Sequence, residues 1–221
     1  MAFGQRGVRS TRRFTPSGVG QGETFTVVDL FGDPAPSEDN DEENRQSYAG
    51  LTQEVFCENY RRVHDELPAI VRGPSTVMTD RLAHAACRFA HIDAGHLFEQ
   101  VRADLLDTRT LLAAQGIVVA DDWRTIHAPG VSAALWELVA NHGLSPICVS
   151  SMKFYATWGD ATPYLEALDR WLATTDPRAF DVRRDRVHGR PITMLTDGHI
   201  TSRRDGPGTA RWLWGEVKRR L

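Results

Sequence analysis

The chain has 221 residues with 26 Lys and Arg against 29 Asp and Glu, a formal net charge of −3, which allows one substantial core and gives no general electrostatic reason to bind nucleic acid. Arginines crowd both ends, at residues 6–13 and 203–220, and read as solvated tails rather than binding patches. Cys57, Cys87 and Cys148 are scattered without a CxxC pair, which argues against a disulfide framework or a thiolate zinc site and fits a reducing cytoplasm, and no apolar run nears the roughly 18 residues of a membrane span.

Residues 1–23 are rich in Gly, Ser, Thr and Arg and are expected to lack stable structure. "TFTVVDLF" is β-branched and aromatic and reads as a buried strand ended by Gly32, Asp33 and Pro34. "APSEDNDEENRQ" reads as an acidic loop. Residues 52–66 place Val55, Phe56, Tyr60 and Val63 on one helical face, and "AIVRG" is a second strand stopped by Gly73 and Pro74. A short helical stretch at 78–84 precedes a third strand, "CRFAHID". A helix over 97–113 follows, with Leu97, Val101, Leu105 and Leu112 at helical spacing.

"GIVVADD" has the continuous apolar run of a strand buried on both faces of a parallel sheet. A helix is expected over 131–141, then two strands, "PICVSS" and "KFYATW", joined by a tight turn. A helix over 163–173, a polar segment, the apolar stretch "PITML" and a terminal helix from about residue 210 complete the chain. Strands alternating with helices and closing on a hairpin point to an α/β fold with a mostly parallel sheet. Such sheets bind ligands at the carboxyl ends of their strands, which singles out Asp29, Asp93, Asp121 and Asp122.

Asp93 ends one strand and Asp121 and Asp122 end another. If those strands are neighbours, roughly 4.8 Å apart, the three carboxylates face one crevice. Like charges so close repel unless a cation neutralises them. Carboxylates of this kind suit a hard divalent ion such as Mg²⁺; the competing reading is that each merely caps the helix after it. His96 follows the small pair Ala94 and Gly95 and is placed to turn back towards the crevice, where an imidazole would take a proton from an acceptor hydroxyl. His91, on the same strand face as Asp93, reads as a buried core histidine. Trp123 suits either an acceptor pocket or simple packing.

The segments "FAHIDAGHLFEQVRADL", "LLAAQGIVVADDW" and "PGVSAALWEL", with Lys153, Phe154 and Tyr155 opening a later strand, resemble the class I S-adenosylmethionine-dependent methyltransferases, in the metal-dependent small-molecule O-methyltransferase branch. The resemblance spans residues 26–158 and implies a Rossmann-like fold. It implies Asp93, Asp121 and Asp122 as Mg²⁺ ligands and His96 as general base. For the cofactor it implies Asp29 on the ribose hydroxyls, Ser75 near the adenine, and Asp93. The partner it implies is a small-molecule methyl acceptor, with neither nucleic acid nor membrane, and self-association is left open.

That family opens with a strand, a glycine-rich loop and a helix ahead of the strand matched by "TFTVVDLF". "GVGQG" supplies Gly18, Gly20 and Gly22 but no preceding apolar strand, and too few residues follow it for a crossover, which takes about a dozen. The expectation is therefore an N-terminally incomplete fold: an irregular segment at 1–23, a methyltransferase-like domain at 24–200 and a basic helix or tail at 201–221. The alternative reading is a catalytically inactive methyltransferase-like protein acting as a binding or interaction module.

Overall fold

The structure is a computed structural model that describes residues 23–197 apart from residue 49. It contains strands β1 (Thr26–Asp29), β2 (Ala69–Arg72), β3 (Cys87–Ile92), β4 (Leu112–Ala120), β5 (Ser145–Val149), β6 (Phe154–Thr157), β7 (Phe180–Val187) and β8 (Arg190–Asp197). The helices are α1 (Glu38–Ser47), α2 (Gln53–Arg61), α3 (Met78–Arg81), α4 (Phe98–Leu111), α5 (Pro129–Asn141) and α6 (Thr162–Thr174), with a 3₁₀ turn at Ser75–Val77. Gly18, Gly20, Gly22 and the expected terminal helix lie outside the described residues.

Among the described residues β1 and β2 form a parallel pair, and the other six strands form one sheet in the order β3-β4-β6-β5-β8-β7. β3 with β4 and β5 with β8 are parallel, while β6 and β7 run against their neighbours. Four of the six strands therefore share one direction, the mostly parallel α/β sheet read from the sequence. The expected hairpin is β5–β6.

The apolar runs build the core. Ala90 and Ile92 of β3 and Val118 and Ala120 of β4 pack with Leu105 of α4, Leu135 and Leu138 of α5, and Phe154 of β6. The register sets His91 opposite Val119 and Ile92 opposite Ala120, so both strands end level.

Two segments differ from expectation. The acidic loop is the helix α1: the Ser37 hydroxyl caps it by accepting from the Asn40 N–H (3.4 Å), and Glu38, Asp39 and Asp41 lie in its first turn, where the helix dipole favours negative charge. Its residues show no amphipathic period, so the helical signal was confined to the cap and the charge order. The polar segment ahead of "PITML" contains β7, paired along its full length with β8. The hairpin turns at His188 and Gly189, both with positive φ (49° and 75°), a backbone that glycine adopts without strain. Most of β7 is exposed, so it lacks the alternation that marks a half-buried strand.

Candidate active site

The level ends of β3 and β4 bring Asp93 within ligand reach of Asp121 and of Asp122, each beside a different histidine, and not all three acids into one ligand set. The Asp121 N–H donates to the Ile92 carbonyl at 2.9 Å, extending the ladder one residue beyond the strands. Asp122 then adopts a left-handed backbone (φ 57°), a conformation that costs a non-glycine residue roughly 1 kcal/mol and marks a site where the fold imposes a direction on the side chain.

The ligand atoms form two triads sharing Asp93, one with His91 and Asp121 and one with His96 and Asp122; within each, the atoms lie within 4.8 Å of one another. Asp93 is 4% exposed, and both its carboxylate oxygens are buried without a hydrogen-bond partner among the described residues. Burial first, and then the neighbouring Asp121 charge, push its carboxyl up to about 7. Asp121 is held differently. Lys153, 7% exposed on the turn before β6, donates from Nζ to Asp121 Oδ2 and to His91 Nε2 (3.1 Å). Asp121 Oδ1 accepts from the Asp122 N–H at 3.0 Å. Although burial would raise Asp121, His91 and the Lys153 ammonium hold it well below the usual carboxylate range. His91 is fully buried, as read from the sequence, and serves as a polar partner of Lys153.

His96 is the imidazole of the second triad. Its Nε2 lies 3.4 Å from Asp122 Oδ2, and its Nδ1 is bound by Glu43 Oε1 of α1, whose Oε2 accepts the His96 N–H at 3.3 Å. Burial would lower the imidazole, but the Asp122 and Glu43 carboxylates raise it to about 9. Positive charge placed on Asp122 would offset that rise. The exposed His127 ring meets His96 edge-on, with centroids 5.9 Å apart.

A cavity of about 200 Å³ adjoins the cluster. Asp29 and Ser75, two of the three residues assigned to the cofactor, line it together with Asn40, Asn44 and Arg45 of α1. Asp93, the third assigned cofactor residue, lines a small recess instead, and Ala94 and Gly95 border both spaces. Burial pushes Asp29 up to about 6, against the Phe31 N–H that donates to it at 2.6 Å. Behind Ser75, Asp104 of α4 is 1% exposed, and burial pushes its carboxyl up to about 7 even though the Ser75 side chain bonds it. Trp123 donates from Nε1 to the Ser150 carbonyl (2.8 Å) and packs edge-on against Trp136 and Phe154, the packing role of its two readings.

Sequence reasoning missed Glu43, which sits in a run of acids with nothing to single it out. Lys153 was visible only as the first residue of a quoted motif, with no chemistry attached.

No protein of curated function matches the chain. Its structure is similar to that of the O-methyltransferase NovP, at 18% identity and a TM-score of 0.49 over 62% of this chain and 60% of that one. It is similar also to the calicheamicin methyltransferase CalS11, at 16% identity and a TM-score of 0.47 over 65% and 63%. A third such structure is a protein from Corynebacterium glutamicum, at 14% identity and a TM-score of 0.42 over 64% and 63%. The chain spans about three fifths of the length of these solved structures. Among the described residues no helix is long and apolar enough to cross a membrane. Residues 9–123, just over half of the sequence, match the family described as a methyltransferase domain, and the chain belongs to that family.

Proposed function

We propose that the protein transfers a methyl group from S-adenosylmethionine to a hydroxyl of a small molecule, assisted by a divalent ion, Mg²⁺, at the strand-end acids. The observation that carries this reading is Asp93: two buried carboxylate oxygens without a hydrogen-bond partner among the described residues, beside a cavity lined by Asp29 and Ser75. An acid buried in that way is costly unless a cation meets it. Asp93, Asp121 and Asp122 would hold the ion, and their hard oxygen donors suit Mg²⁺. Lys153 already meets part of the charge of Asp121, so Asp93 and Asp122 carry most of the demand.

When bound, S-adenosylmethionine supplies an electrophilic sulfonium methyl, and the ion supplies Lewis acidity at the acceptor hydroxyl. The chain's own residues do the rest. Asp29, at the end of β1, accepts hydrogen bonds from ribose hydroxyls, and Ser75 borders the adenine. His96 takes the proton that the acceptor oxygen loses as the oxygen–carbon bond forms and the sulfur–carbon bond breaks. Holding the cofactor in the cavity bordered by Ala94 and Gly95, beside the acids and His96, would supply the proximity on which an in-line transfer depends.

Titration calorimetry with S-adenosylhomocysteine, the demethylated product, tests the cofactor half. Stoichiometric binding is expected, weakened at least tenfold by Asp29→Ala because a buried charge-assisted hydrogen bond is lost. Absence of heat at saturating ligand overturns the reading. Methyl transfer from labelled cofactor to hydroxylated acceptors that persists undiminished in EDTA removes the ion from it.

A further inference from the structure

Helix α1 contains no apolar residue: its sequence is EDNDEENRQS. A helix without an apolar stripe gains little from the hydrophobic effect, so polar contacts set where it docks. α1 nevertheless forms one side of the cavity, where Asn40 is 5% exposed and Asn44 and Arg45 face the same space. Its approach is close. A Cβ on Gly95 would meet the ends of the Gln100 and Asn40 side chains, which would have to shift to admit it.

Glu43 ties this helix to the strand-end cluster at two points. One carboxylate oxygen takes the Nδ1–H of His96 and the other its backbone N–H. An ionised carboxylate can only accept, so the Nδ1 proton is fixed on the ring and Nε2 is left facing Asp122. We infer that Glu43 is a positioning residue for His96, carried by a roof helix, so that one carboxylate both closes α1 over the cofactor cavity and orients the base. The inference deepens the methyltransferase reading and rests on it for the word base, while the Glu43–His96 contact itself is tested separately from cofactor binding. The site is thus completed by a residue 53 positions away from His96, and it is complete only while α1 is docked.

Two measurements on the ligand-free protein test this. Hydrogen exchange followed on a peptide covering α1 should accelerate about tenfold in Glu43→Ala, the scale of losing a charge-assisted hydrogen bond. Exchange in α5 should stay unchanged, which shows that the variant is folded. His96→Ala, which keeps the backbone N–H that also bonds Glu43, should accelerate α1 to a smaller degree, and the double variant should add nothing beyond Glu43→Ala. In NMR spectra with labelled imidazoles, the His96 Nδ1–H signal should be present in the wild type and in Glu43→Gln, whose amide oxygen still accepts, and lost in Glu43→Ala. Unchanged α1 exchange in both single variants, additive effects in the double variant, or an Nδ1–H signal that survives Glu43→Ala each overturn the inference. S-adenosylhomocysteine binding is read separately, so its failure would count against the methyltransferase reading alone.

Discussion

The floor and the roof of this site are made of opposite materials. The floor is two buried apolar strands, with Ala90 and Ile92 beside Val118 and Ala120, and their acids emerge side by side because the backbone ladder leaves them nowhere else to go. The roof is a helix of charged and amide side chains, tied to the cluster through Glu43. The difference teaches where precision and adaptability can coexist. A floor locked by packing holds its carboxylates in place, whereas a roof docked by polar contacts can lift at the cost of a few hydrogen bonds.

The sharpest way to break that contrast is at the floor's own counter-charge. Lys153→Met removes the ammonium from Asp121 and His91 and leaves a buried carboxylate uncompensated, so urea denaturation in metal-free buffer should show a loss of about 3–5 kcal/mol. A loss under about 1 kcal/mol, the worth of an exposed pair, would mean that the cluster is more open to water than its burial implies. Next in size is Asp93→Asn, which keeps the shape of the floor but removes a ligand shared by both triads. Calorimetric titration with Mg²⁺ should lose its signal, and methyl transfer should fall about a hundredfold; an unchanged Mg²⁺ isotherm would assign the ion elsewhere.

The smallest effect belongs to Asp104, a buried acid behind Ser75 that lies in neither triad. Burial pushes its carboxyl from an ordinary value of 3.8 up to about 7 in the folded chain. A raised carboxyl contributes most below the unfolded pKa and loses that contribution as pH climbs through the folded one. Asp104→Asn should therefore match the wild type near pH 4 and exceed it near pH 8, by roughly 1–3 kcal/mol. Thermal unfolding at the two pH values checks this, and equal differences at both would show that the carboxyl is ionised throughout.

Much of the floor was legible in the sequence. "CRFAHID" and "GIVVADD" are short apolar runs ended by acids, and in a parallel sheet such runs become adjacent strands whose ends align, so Asp93, Asp121 and Asp122 follow from local pattern plus one topological rule. Asp29, the last residue of β1, fell on the cavity by the same rule, whereas Ser75, three residues past β2, came only from the family resemblance. The roof was illegible. "SEDNDEENRQ" lacks the apolar period that identifies most helices, and its capping serine reads equally well as part of a loop. β7 was hidden likewise, since an edge strand exposed on both faces has no alternation to display.

What the sequence determined alone was the set of elements whose apolar residues leave them one way to be buried, and with them the positions of the acids. Which partner each acid or base takes was decided only by tertiary structure. Lys153 reaches Asp121 across 32 residues of chain and Glu43 reaches His96 across 53. Local spacing carries no trace of either contact. A charged side chain looks the same in sequence whether it faces water or a buried counter-charge, and packing alone selects between them.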